Sequence, residues 1–327
     1  MRVYSFNSEL NIVSGIQKVL ISIHEAIKNN FEAKIVGTIP WNNINKDLHI
    51  RKTEYVKLKN PFVFRDSIVI LHQRKFLIVF WLLNKIFNLH CSVVYVHHSL
   101  LYGNRLLTIM PQNIVAISDS GIENLNHYFN VPLSHIHKIY NCVVDVNPPK
   151  HKLPDRSNIY VLYPARIDHN KRQLEIIDKL LGRLDHRVKI FFAGDGPLYS
   201  ELYDKIKQSD QFYALGFKSD MISLLLQADY VLLFSMFEGL SISLIEATMC
   251  GVPIICNSVG GNLEIAESQK NAFVVDEWDK LTSVLNSLPN ISHQQYQRMS
   301  EESRKKYEAN FTFEKFKSNY VELLSNI

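Results

Sequence analysis

Between Phe237 and Gly261 the chain reads FEGLSISLIEATMCGVPIICNSVGG, placing two acids, Glu238 and Glu246, eight residues apart around a Gly-containing entry. This predicts Glu238 at the tip of a strand and Glu246 along the helix that follows. Two carboxylates so placed can point into one cleft. They suit the hydroxyls of a sugar and of a ribose, while helix N–H groups hold a phosphate. Arg166 and Lys171 form a second pair, one at a strand end and one at the start of the next helix. Both can converge on a diphosphate, whose negative charge grows as a bond to it breaks. Acids beside a diphosphate make sense only where hydroxyls hold them, because charge alone would repel the ligand. The blander readings are solvated surface charges for Arg166 and Lys171, a helix-surface acid for Glu246 and a helix-capping acid for Glu238.

The elements that must position these residues are legible as alternating strands and helices. The first half opens with strand Arg2–Phe6, a polar loop and a helix from Ile16 to Lys28. Strand-like runs follow at 33–37, 67–71, 92–97, 113–118 and 136–140. Residues 146–157, VNPPKHKLPDRS, hold three prolines and no apolar periodicity, as an interdomain linker does. The alternation then restarts at Ile159 and runs through strands at 188–193, 211–214, 230–234 and 253–256 with helices between them. The expected fold is α/β, with two doubly wound Rossmann-like domains facing a central cleft and ligands at the carboxyl ends of the strands. The expected boundaries are 1–148, a linker at 149–157, a second domain at 158–305 and a final helix from 306 to 327 that packs back on the first domain. A single eight-unit barrel is excluded by the linker and by the charge asymmetry.

That asymmetry is marked. Residues 1–150 carry 16 Lys and Arg against 9 Asp and Glu, and the remainder carries 20 against 23. Within 51–90 there are eight basic residues and two acidic ones. A basic first half attracts a polyanionic substrate or an anionic bilayer; nucleic acid is not expected, because no recognition module is legible. The strongly apolar run Phe76–Leu83 is too short to cross a bilayer. It reads first as a buried helix and second as a segment seated on a membrane surface. With no secretory signal at the start and four cysteines in apolar stretches without metal spacing, a cytoplasmic chain with buried free thiols is expected, peripheral to the inner face of the cell membrane on the second reading.

Four signatures in order make a resemblance specific: Tyr163-Pro164-Ala165-Arg166-Ile167-Asp168-His169-Asn170-Lys171; Gly194-Asp195-Gly196-Pro197; Leu215-Gly216-Phe217; and Glu238 to Glu246 followed by Gly251-Val252-Pro253 and Gly260-Gly261. Together they cover roughly 158–275, and this half resembles the nucleotide-sugar-binding half of the retaining glycosyltransferases of family 4, which have the GT-B fold. Ala165 departs from that family's pattern, where a glycine precedes the arginine.

The resemblance implies a retaining transfer from a nucleoside-diphosphate sugar, UDP- or GDP-linked, to a glycan or lipid-linked glycan in lipopolysaccharide or capsule assembly. It also implies roles. Arg166 and Lys171 would stabilise the leaving diphosphate, and Glu246 would hold the ribose. Glu238, with Gly239, Leu240 and Ser241 beside it, would hold the transferred sugar. Gly216 and Phe217 would support the base, and Gly15 would approach the diphosphate. His97 would lie near the reacting sugar, with His98 as the competing assignment and His72 on the acceptor side. Asn141 and Asp145 resemble a turn that serves as a hinge. No cofactor or metal is expected, because no Asp-x-Asp follows a strand and no cluster has metal spacing. A sugar-nucleotide epimerase of the same fold and a non-catalytic carbohydrate-binding protein remain as alternatives.

Overall fold

The computed structural model describes residues 1–105 and 108–327. The chain forms two compact units, Met1–Cys142 with Phe313–Ile327, and Val143–Thr312. Each is a doubly wound parallel α/β unit, so the molecule carries the pair of Rossmann-like units of the GT-B fold.

The first unit contains β1 (Arg2–Phe6), α1 (Gly15–Ile27), β2 (Glu32–Gly37), β3 (Tyr55–Lys57), β4 (Ile68–Leu71), α2 (Leu77–Phe87), β5 (Ser92–His97), β6 (Asn113–Ala116), α3 (Asp119–Glu123) and β7 (Ile136–Lys138). Among the described residues its seven strands run in the order β3-β2-β1-β4-β5-β6-β7, and every pairing is parallel. The central strands β4, β5 and β6 are mostly Val, Ile and Leu and largely buried, because both faces of the sheet are covered there. The helical pattern after Ser118 is realised as α3 followed by a wider π-helical turn, Asn124–Tyr128.

The second unit contains β8 (Ile159–Pro164), α4 (Gln173–Leu180), β9 (Val188–Ala193), α5 (Tyr199–Ile206), β10 (Phe212–Gly216), α6 (Met221–Gln227), β11 (Tyr230–Leu233), α7 (Ile242–Met249), β12 (Ile254–Cys256), α8 (Asn262–Ile265), β13 (Ala272–Val274), α9 (Trp278–Ser287) and α10 (His293–Asn310). Its parallel order is β10-β9-β8-β11-β12-β13. The chain winds outward from β8 through β9 to β10, then crosses back to lay β11 on the other side of β8. This reversal is the topological switch point, beside which the carboxyl ends of β8 and β11 leave a crevice.

The proline-rich stretch after Asp145 packs along the second unit. His151 is buried there and donates through Nε2 to the Ala228 carbonyl at 2.9 Å. Arg304 of α10 grips the Asp145 carboxylate and also donates to the Met249 carbonyl at 2.8 Å. The last helix, α11 (Phe313–Ser325), packs on α1 within the first unit. All four cysteines are buried and free.

The apolar run at 76–83 is a correction to the reading of a buried helix. Leu77 and Phe80 of α2 enter the core, but Val79, Trp81 and Leu82 are exposed. The sheet face accepts only one arc of a helix, and α2 is apolar all round.

Candidate active site at the switch point of the second unit

The two segments that follow β8 and β11 are joined by side chains that hydrogen-bond to backbone. Tyr163, fully buried in β8, donates its hydroxyl to the Lys171 carbonyl at 2.6 Å and accepts from the Phe234 amide at 3.1 Å. Burial raises the Tyr163 pKa, so the group stays a neutral O–H able to serve both bonds. Asn170 repeats the device one layer out. Its Nδ2 donates to the Phe237 carbonyl at 3.0 Å, and its Oδ1 accepts from the Phe237 amide at 2.9 Å. Asn257, after β12, holds Ser235 in the same two-sided way at 3.2 and 2.7 Å. Asp168 accepts from the Lys171 amide at 3.1 Å and so closes the short turn that carries the lysine.

This lattice brings Lys171 and Glu238, 67 residues apart in sequence, into a direct ion pair between Nζ and Oε1. Both side chains are largely covered, with exposures of 19% and 9%. Arg166 stands in the same loop but points outward, 70% exposed, its nearest acid being Asp168 at 3.8 Å. Its own backbone carbonyl accepts from Gln173 Nε2 at 2.8 Å, which fixes the backbone and leaves the guanidinium exposed. Ser241 caps α7, accepting from the Leu244 amide at 3.4 Å, and Glu246 lies half-buried on the second turn of that helix. Gly239 accepts from the Gly261 amide at 2.8 Å, while Leu240 is buried.

Two glycines set how closely these loops approach. A Cβ on Gly194 would lie 2.0 Å from the Ala165 carbonyl oxygen, so the turn after β9 can pass beneath the arginine loop only as glycine. A Cβ on Gly260 would lie 1.9 Å from the Glu238 carbonyl oxygen, and its φ of +56° is a conformation that L side chains rarely adopt. Gly216 closes β10 next to these turns, accepting from the Gly194 amide at 2.9 Å, and Phe217 is 68% exposed beyond it.

The remaining expected residues lie in the first unit. Gly15 opens α1, whose N-cap Ser14 makes no capping bond and instead donates to Gln17 Oε1. His97 is 1% exposed and sunk in the unit. Its Nε2 lies 3.0 Å from Asn124 Oδ1 and its Nδ1 lies 3.5 Å from the Tyr95 hydroxyl. Burial lowers its pKa to about 4, against the opposing pull of Asn124. His98 is only half-buried, and its ring stacks on His72 with Nε2 and Nδ1 3.0 Å apart. His98 is thus the more accessible of the two histidines at the end of β5.

Tyr163, Asn170 and Asn257 carry the frame of the site, and residue type alone assigns none of them a role. The signal available for the first two is their place inside the same nine-residue segment as Arg166 and Lys171. Among the described residues, His24, Glu25 and Glu54 bring three metal-ligand atoms within 4.8 Å in the first unit. The Lys28 ammonium already pairs with both carboxylates, 2.6 Å from Glu25 and 3.3 Å from Glu54.

Residues 145–306 match the family model of the glycosyl transferases group 1. The matched segment falls within the second unit and contains the whole lattice around Lys171 and Glu238. The N-acetyl-alpha-D-glucosaminyl L-malate synthase of Bacillus anthracis is 24% identical over 222 residues, covering 63% of this chain and 58% of that protein. An Escherichia coli relative, the UDP-Gal:alpha-D-GlcNAc-diphosphoundecaprenol alpha-1,3-galactosyltransferase, is 25% identical over 143 residues, 41% of this chain and 37% of its own length. The chain thus spans little more than half, or less, of these curated relatives. Among solved structures, Anabaena Alr3699/HepE in complex with UDP superimposes with a TM-score of 0.85 at 18% identity, covering 100% of both chains. At that identity the likeness establishes the fold.

Proposed function

We propose that this chain is a retaining glycosyltransferase of family 4, moving a sugar from a nucleoside-diphosphate donor to a glycan or lipid-linked glycan in bacterial surface-polysaccharide assembly. The observation that carries the reading is the meeting of Lys171 and Glu238 at the switch point of the second unit, with Arg166 exposed in the same loop. The match of this segment to the glycosyl transferases group 1 supports it, as do a structural neighbour that binds UDP and a relative named for a diphosphoundecaprenol acceptor.

In this mechanism the ion pair is the resting arrangement. A donor diphosphate draws Lys171 and Arg166 to its oxygens, and the released Glu238 carboxylate accepts from sugar hydroxyls. Glu246 does the same for the ribose, and Gly216 and Phe217 support the base. As the bond between the anomeric carbon and the phosphate oxygen breaks, charge grows on the diphosphate, and the two cations stabilise it more than they stabilise the intact donor. The acceptor hydroxyl attacks from the side the phosphate leaves, and its proton passes to the departing oxygen. Gly15 approaches the diphosphate, and His97, or His98 in its place, serves the sugar and acceptor side. These two cations supply the charge, so the transfer runs without metal.

Lys171→Ala tests this directly. The expected outcome is a fall in kcat of roughly a hundredfold or more, with little change in thermal midpoint. A variant that turns over at the wild-type rate would remove Lys171 from the chemistry. Product NMR with UDP- and GDP-sugars, with and without EDTA, then reads donor, anomeric outcome and metal need. Donor consumed without any acceptor product would favour an epimerase.

A further inference from the structure

Helix α2 is apolar on every side: Asn84 and Lys85 are the only polar residues in LIVFWLLNKIF. Such a helix belongs in a core or a membrane, yet only one arc of this one is covered. Phe80 packs edge-on to Phe6 and Phe64, and Asn84 is tied to the Cys91 backbone by bonds of 3.0 and 3.1 Å. At about 100° per residue, Val79, Leu82 and Ile86 fall on the opposite arc. They are 40%, 42% and 67% exposed. Trp81 and Phe87 flank them, and Phe62, from the turn Pro61–Phe64, extends the patch by meeting Phe87 with ring centroids 5.5 Å apart. A contiguous apolar face of this kind is an interaction surface.

The charges around it select the occupant. The Lys85 ammonium sits 5.1 Å from the centre of the Trp81 ring, and the Arg65 guanidinium carbon 5.1 Å from that of Phe62. Lys59 is exposed as well, Lys75 is already paired with Glu9 at 2.8 Å, and Glu54 and Asp66 are the only acids within 51–90. Exposed aliphatic side chains edged by aromatic rings with cations over them match a bilayer boundary. The stems and rings enter the apolar zone there, and the charged heads stay at phosphate level. We propose that α2 and the Pro61–Phe64 turn form a docking face for an anionic lipid bilayer. Val79, Leu82 and Ile86 seat at the headgroup boundary, with Lys85 and Arg65 on lipid phosphates. This does not depend on the transfer reading, because vesicle binding alone tests it.

The experiment is co-sedimentation of the full chain with phosphatidylcholine vesicles containing or lacking phosphatidylglycerol, over a salt series. Binding is expected with phosphatidylglycerol at low salt, weakening as salt rises. Lys85→Gln should weaken it about fivefold. Ile86→Asp should abolish it at every salt concentration with an unchanged melting curve, since the side chain packs in no core. Absence of binding to the anionic vesicles at low salt would overturn the proposal, as would wild-type binding by Ile86→Asp. Self-association lost in Ile86→Asp, without vesicle binding, would assign the face to a second copy of the chain and overturn it equally.

Discussion

Tyr163 ties together the two loops of the candidate site. Its one hydroxyl joins the carbonyl of Lys171 to the amide of Phe234, so the turn carrying Lys171 and the end of β11 are held by the same oxygen. Tyr163→Phe keeps the ring and its packing but deletes both bonds and leaves the Phe234 amide without this acceptor. The expected loss is about 1–3 kcal/mol of stability, read as a lower urea midpoint. Affinity for UDP should fall as well, because the backbone under Lys171 is no longer pinned. An unchanged midpoint together with unchanged affinity would show that Asn170, with its two bonds to Phe237, suffices to hold the loops.

At the scale of elements, the turn between β12 and α8 sets where Glu238 stands. Gly260→Ala would drive a methyl group into the Glu238 carbonyl oxygen and place alanine at positive φ, so the turn and the acid must part. The expected result is a loss of about 1–3 kcal/mol and a larger proportional loss of donor binding, measured by thermal melting and by titration with UDP. Retained binding would mean that Glu238 is placed by Gly239 and α7 rather than by this turn. The elements themselves are largely legible in sequence, because strands covered on both faces are continuous apolar runs broken by turn residues. Two edge strands of three residues each, β3 and β13, are missed. The exposure of α2 is also illegible, since an all-round apolar helix carries no sign of which arc the protein covers. The loop carrying Arg166 and Lys171 can be read from its residues. The pairing of Lys171 with Glu238 cannot, because it requires β11 to lie beside β8, a fact of sheet order that no local pattern encodes.

At the scale of the molecule, buried titratable groups give the two units unequal responses to pH. In the first unit His72 and His97 are held neutral by burial, His97 with a pKa of about 4 and His72 well below its ordinary value. A histidine depressed in the fold contributes stability that is complete above pH ~6.5, and that stability is lost as pH falls towards the folded value. For His97 the loss by pH ~5 is roughly 2 kcal/mol. The second unit also holds a depressed histidine, His151, at about 4, but beside it Asp229 is raised to about 6 by burial. One Asp229 oxygen accepts from the Tyr160 amide at 2.8 Å, and the other, buried, has no hydrogen-bond partner among the described residues. A raised acid has the reverse sign: its contribution is complete below pH ~4 and is lost as pH rises through 6. Acidification from 7 to 5 should therefore weaken the first unit while His151 and Asp229 nearly cancel in the second. Hydrogen exchange should show protection falling in β4, β5 and β6 and holding in β8 and β11. Asp229→Asn removes the compensation, since the amide keeps an acceptor for Tyr160 and cannot ionise. It should raise stability relative to wild type by roughly 2–3 kcal/mol at pH ~8, and by far less at pH ~4. A gain equal at both pH values would place the effect in packing and not in the charge of Asp229.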